Sequence, residues 1–155
     1  MKKRVFSLLL ALSLTLGLAV SASAADTGYS DVPEGHWSAE SVRRATELGL
    51  FNGVGGGKFG RGQPISRAAF VTALVRLFDW QEITPTQATF TDVTADRWFY
   101  SAVETACANG AVVAIGKNFR PTDNLSREEM AVMLVRGLGY ASLAGAAARY
   151  SSPFT

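Results

Sequence analysis

The sequence predicts a mainly α chain built from two helix-loop-helix repeats, with little or no sheet. The first observation is a stretch that appears twice. Ile65-Ser66-Arg67-Ala68-Ala69-Phe70 returns as Leu125-Ser126-Arg127-Glu128-Glu129-Met130. The second is that the markers before it recur at a constant distance: Asp31 and Asp92, Trp37 and Trp98, Ala45 and Ala106, and Gly49 and Gly110 are each 61 positions apart. Past the middle loop the distance becomes 60, as in Phe59 to Phe119 and Arg76 to Arg136, so one single-residue gap aligns the halves. A match this long is an internal duplication. The third is apolar spacing at helical period inside each half.

Taken from the N-terminus, residues 1–24 read as a secretory signal peptide. Lys2-Lys3-Arg4 is the positive region, Val5 to Val20 the apolar run and Ala22-Ser23-Ala24 a small-residue cleavage site. An uncleaved membrane anchor is the alternative. Removal leaves 131 residues, enough for one domain that buries roughly two-thirds of its unfolded surface. No further long apolar run follows, so no membrane span is expected after signal removal. The composition, 48% hydrophobic and 18% charged, is globular rather than disordered. Without the signal, 12 Lys plus Arg face 13 Asp plus Glu, so no basic surplus points to nucleic acid. Cys107 is the single cysteine of an exported chain, so no internal disulfide holds the fold. Its small neighbours make it a packed hydrophobe rather than a reactive thiol.

Each repeat follows one grammar. The units are 25–88 and 89–152, with Phe154-Thr155 reading as the opening of a third. Tyr29-Ser30-Asp31-Val32 and Phe90-Thr91-Asp92-Val93 open the two units. A first helix is expected over Ser38 to Leu48, stopped by Gly49, and over Tyr100 to Asn109, stopped by Gly110. Trp37, Val42 and Ala45 share one face, as do Trp98, Ala102 and Ala106. A glycine-rich loop follows, from Asn52 to Phe59 and from Ala114 to Phe119, and the phenylalanines are expected to plug it into the core. The second helices begin at Ser66 and Ser126, with stripes Phe70–Leu74–Leu77 and Met130–Leu134–Leu138. Ser126 and Glu129 form a capping box; Ala69 stands in the acidic position of the first copy, so that cap is weaker by about 0.5–1 kcal/mol. Trp80 to Ala88, with Pro85, reads as a short extended linker. Gly139 to Ser152 is Ala/Gly-rich, with room for a further helical turn.

Arg67 and Arg127 stand oddly. A cation in the first turn opposes the helix dipole by roughly 0.3–1 kcal/mol. Its recurrence after the same hydroxyl points to an anionic partner. The guanidinium forks onto a carboxylate, and free helix-start amides add donors beside it. The plainer reading is an arginine bridging to a nearby Asp or Glu. Core packing is the first expectation for Trp37 and Trp98, and a sugar-stacking face the second. Asp31 and Asp92 read as turn formers bonding their own backbone, with ligand contact second. Gly53 and Gly55 read as tight-turn residues, with close ligand approach second.

Taken in order and duplicated, these motifs resemble S-layer homology domains. Tyr29-Ser-Asp-Val, Trp37, Gly57-Lys-Phe59 and Ile65-Ser-Arg-Ala68 supply the family pattern once. Phe90-Thr-Asp-Val, Trp98, Gly116 to Phe119 and Leu125-Ser-Arg-Glu-Glu129 supply it again, over nearly all of the mature chain. The resemblance implies part of a pseudo-threefold bundle on the bacterial surface. It also implies non-covalent anchoring through secondary cell-wall polysaccharide, often carrying pyruvate ketals. The helix-start arginine of such domains meets the ligand carboxylate in grooves between repeats, a role that falls by position to Arg67 and Arg127. Ala69 departs from the pattern, and only the opening of a third repeat is present, so the threefold grooves would be incomplete. The candidate ligand residues are thus Arg67, Arg127, Ser66, Ser126, Trp37, Trp98, Asp31, Asp92, Gly53 and Gly55.

Other chemistries are poorly served. Gly53 to Lys58 lacks the first glycine and the following Ser or Thr of a phosphate loop. His36 is the single histidine, so no His-based zinc site is assembled. Ser66 and Ser126 have no base at catalytic spacing, and capping accounts for both. No enzyme activity, cofactor or metal is expected. The rival to glycan anchoring is a protein–protein module that self-associates in a surface lattice.

Overall fold

The computed structural model describes residues 27–142. The signal segment 1–24, the stretch from 143 onward and the third-repeat opening lie outside the described residues. Four helices follow in order: α1 (Ala39–Glu47), α2 (Arg67–Leu77), α3 (Tyr100–Ala108) and α4 (Arg127–Gly137). Repeat one holds α1 and α2, and repeat two holds α3 and α4. Among the described residues, extended pairing is limited to two isolated bridges, Gly55 with Lys58 and Ser66 with Asn124. The mainly α expectation holds.

The helix ends follow from local chemistry. All four helices close with the same pair of bonds back to their last turn. After α1, Gly49 N donates to Thr46 O (2.9 Å) and Leu50 N to Ala45 O (2.9 Å); after α3, Gly110 and Ala111 repeat the pattern onto Cys107 and Ala106. The geometry requires a left-handed residue just past the helix. Gly49 (φ 68°) and Gly110 (φ 73°) supply it as expected, and Asp79 (φ 49°) does so after α2. Ser66 and Ser126 cap α2 and α4 through the amides of Ala69 (3.3 Å) and Glu129 (3.1 Å). Ser38 does not cap α1: its hydroxyl lies 2.8 Å from His36 Nδ1.

The main core lies between the repeats. Ala68, Val71, Leu74 and Val75 of α2 pack on Tyr100, Ala102, Val103 and Ala106 of α3, with Phe90, Val93, Phe119 and Met133 closing the cluster. Val71 and Val103 have no exposed surface. Burying such a side chain contributes about 1.5–3 kcal/mol. The C-terminal turn of α2 lies on α4 at Gly137, where a Cβ would stand 2.6 Å from Phe78 Cε2. By contrast, α1 has only a small core of its own, Val32, Ala39 and Val42, with Tyr29 and Phe59 against it. Arg76 links it to α2 through bonds of 3.4 Å to the carbonyls of Gly49 and Leu50.

Several expected faces are corrected by this packing. Trp37 and Trp98 are 87% and 67% exposed, not core residues, because the face their helices bury is the one carrying Ala39–Val42 and Ala102–Val103–Ala106. Leu77 and Leu138 are also exposed, since the buried face of α2 runs through residues 68, 71, 74 and 75 instead. Phe119 is buried as expected; Phe59 is only half-buried. Cys107 packs partly against the core, and burial together with nearby Glu104 pushes its thiol up to about 11. The linker from Trp80 to Ala88 is pinned to α3 rather than merely spanning. Thr105 accepts from Ile83 N (2.9 Å), Tyr100 Oη donates to Pro85 O (2.6 Å), and buried Glu104 accepts from Thr89 N (2.9 Å) and Thr89 Oγ1 (2.6 Å).

Leu74→Ala should therefore cost about 2–5 kcal/mol by urea unfolding, and Leu77→Ala less than about 1 kcal/mol. Equal losses would contradict the assigned face.

Candidate functional site

The opening Asp-Val motif and the glycine loop are two halves of one clasp. Asp31 Oδ1 accepts from Phe59 N (2.7 Å), and its Oδ2 accepts from Gly60 N (2.8 Å) and Arg61 N (2.9 Å). Asp92 accepts in the same way from Phe119 N and Arg120 N, both at 2.8 Å. Beside them, Ser30 N donates to Gly57 O and Thr91 N to Lys117 O, each at 2.8 Å. Desolvation pushes the Asp31 carboxyl upward, but the amides of Phe59, Arg61 and Gly60 outweigh it and hold the group below its ordinary range. The local-turn expectation for both aspartates is thus corrected: they bond backbone 27 to 30 residues away. With both oxygens of each carboxylate already engaged, they are built to shape the loop. Gly53 is likewise filled by its own chain, since a Cβ there would stand 2.4 Å from Lys58 O. Gly55 (φ 95°) has open space around it.

The two second-helix starts lie side by side. Leu125 N donates to Ile65 O (2.9 Å), Arg67 N to Asp123 O (2.9 Å) and Ala68 N to Pro121 O (3.0 Å). The helix-start amides of α2, expected to be free for a ligand, are instead taken by the loop of repeat two. The Arg127 and Glu128 amides of α4 have no such carbonyl among the described residues.

This junction decides where Arg67 goes. It is 7% exposed and its Nη2 bonds Glu129 Oε1 of the other repeat. Its Nε is buried and has no hydrogen-bond partner among the described residues. Glu129 meanwhile completes the capping box, its Oε2 accepting from Ser126 N at 2.9 Å. The Ser126 amide, then the Arg67 guanidinium, hold the Glu129 carboxyl below its usual range. Arg127, the counterpart of Arg67, is exposed.

A groove of about 650 Å³ opens at the junction. Arg67, Arg120, Arg136, Glu128, Glu129, Ser126 and Asn118 supply its polar lining, and Val112, Val113, Ile115 and Met133 are among its apolar residues. Of the ten residues singled out in the sequence, Arg67 and Ser126 line it. Trp37, Trp98, Arg127, Ser66, Asp31, Asp92, Gly53 and Gly55 do not. Arg120, Glu129, Arg136 and Ile115 escaped the sequence reading as site residues. The available signal was departure from the repeat: Arg120 stands where repeat one has Gly60.

The pairing predicts a pH signature. Because the folded-state pKa of Glu129 is depressed, its contribution is present above about pH 4.5 and is lost as pH falls through the lowered value. The gap in thermal midpoint between wild type and Glu129→Gln should be wide at pH 7 and shrink towards pH 3. A gap of constant size would remove the Glu129 charge from the account.

The S-layer homology domain model matches residues 28–71 and 89–131, one match in each repeat. A surface layer protein of Brevibacillus choshinensis is 32% identical over 142 residues, 89% of this chain and 13% of its own length. A middle cell wall protein of Brevibacillus brevis is 33% identical over 144 residues, 89% of this chain and 14% of its own. An amylopullulanase of Thermoanaerobacterium thermosulfurigenes is 26% identical over 111 residues, 72% of this chain and 6% of the enzyme. The chain therefore spans a small part of the curated relatives it matches. With a family match in each half and the aspartate clasp built alike in both, the chain belongs to the S-layer homology domain family and is a secreted protein of the cell surface.

Proposed function

We propose that this chain anchors a surface protein non-covalently to the bacterial cell wall, by binding an anionic wall polysaccharide in the groove between its repeats, and that it supplies no catalysis itself. The anchoring units are the repeats 25–88 and 89–152. The observation that carries the reading is the composition of the groove. Three arginines face two glutamates there, beside a wall formed in part by Val112, Val113 and Ile115. A sugar bearing a carboxylate next to a methyl group, as in a pyruvate ketal, matches both features: guanidinium groups fork onto the carboxylate and the valine–isoleucine wall takes the methyl. The match to an amylopullulanase over 6% of that enzyme fits a module that travels with different partner domains. Exposed Trp37 and Trp98 stand outside this groove, each with a ring face available to a second sugar.

Self-packing in a surface lattice is the second reading. Exposed Leu48, Leu138 and Tyr140, just past the ends of α1 and α4, favour it.

Co-sedimentation with purified wall sacculi tests the choice. The protein should pellet with sacculi that retain their polysaccharide and stay in solution once it is stripped. Free pyruvate-bearing glycan should compete. Pelleting that survives stripping, or concentration-dependent assembly that the glycan does not disturb, would favour the lattice.

A further inference from the structure

We infer that Arg120 is the residue of the inter-repeat groove that captures an anionic group of the glycan, while Arg67 positions Glu129 from behind and does not itself reach the ligand. This rests on the glycan-anchoring reading and deepens it. The clasp sets the backbone at this point, because Asp92 Oδ2 receives Arg120 N at 2.8 Å. The result is a left-handed residue: Arg120 has φ 59°, and its counterpart Gly60 has φ 93°. A side chain there costs on the order of 1–2 kcal/mol that glycine avoids. Repeat one shows that glycine suffices for the clasp. What arginine adds at this place is its guanidinium.

That guanidinium is free to act. The Arg120 side chain is 60% exposed, against 9% for Arg67. Its acidic neighbours are loose: Asp123 Oδ2 at 3.5 Å and Glu129 Oε1 at 3.9 Å, both longer than a charge-assisted hydrogen bond of about 2.7–2.9 Å. Glu129 already receives Arg67 and the Ser126 amide, so it does not hold Arg120 as well. Arg67, by contrast, is closed in, its Nε buried in the groove wall without a hydrogen-bond partner among the described residues. Guanidinium and carboxylate are matched in plane and spacing, so a carboxylate on the glycan would dock on Arg120 at the mouth of the groove.

The test is binding to sacculi that retain their polysaccharide, read beside the thermal midpoint. Arg120→Gly restores the residue that repeat one uses, so the midpoint should hold or rise while affinity falls at least tenfold. Arg120→Gln, which keeps the side chain's bulk without charge, should lose affinity similarly. Arg127→Ala, outside the groove, should bind as wild type. Arg120→Gly and Arg120→Gln proteins that bind like wild type would overturn the role of Arg120 and leave the anchoring reading standing. A wild-type protein that fails to pellet, or pellets equally with stripped sacculi, would overturn both.

Discussion

The structure depends on Arg67 meeting Glu129. A cation in the first turn of α2 opposes the helix dipole, and a buried guanidinium without a counter-ion would be far more costly than the dipole term alone. Glu129 removes both difficulties. It stands at the third position of α4, where its carboxylate also caps that helix, and it reaches across the junction to repeat one. One carboxylate thereby fixes the start of α4, neutralises the start of α2 and sets the two side by side. The backbone bonds from Leu125 to Ile65 and from Arg67 to Asp123 complete the join. That junction brings Arg67 to a groove whose other lining residues belong to repeat two.

The same junction explains why two repeats of like sequence are buried so differently. Val42 and Val103 are equivalent, as are Tyr29 and Phe90, and Phe59 and Phe119. The second of each pair sits in the main core, because α2 packs on α3; the first sits in a small cluster beneath α1. Burial here belongs to the contact between repeats rather than to the repeat itself. This is the usual economy of repeat architectures, in which neighbours cover faces that one unit leaves open.

That distinction also separates what the sequence made legible from what it did not. Local signals were readable: Gly49 and Gly110 at the helix ends, the Ser126–Glu129 box, the extent of α1 and α3 to within a residue, and the starts of α2 and α4. They depend on bonds spanning a few positions. The aspartate clasp was misread as a local turn because its bonds close over 27 to 30 residues. Trp37 and Trp98 were expected inside because each is large and apolar at a helix start; the pattern of one helix does not say which face a neighbour will cover. The recurrence of the arginine pointed to an anionic partner, and for Arg67 the structure supplies the plainer one, the Glu129 carboxylate of the other repeat. That partner is not visible in the sequence, because Glu129 is 62 positions from Arg67 and its spacing to Ser126 accounts for it as a cap.

The contrast between the two helix-start arginines follows from the same geometry. Arg67 is enclosed because repeat two lies against its helix start, bringing Glu129 to its guanidinium and the Pro121 and Asp123 carbonyls to the amides of α2. Arg127 is the same residue type after the same capping serine, yet it is exposed and its amide takes no such carbonyl among the described residues. An arginine after a helix-capping serine is therefore not in itself enough to line the groove. Arg67 lines the groove because the following repeat presents an acid and a loop to it. Under the glycan-anchoring proposal the unit of recognition is the junction, and the residues that vary from repeat to repeat there, as Arg120 does against Gly60, would distinguish one anionic ligand from another.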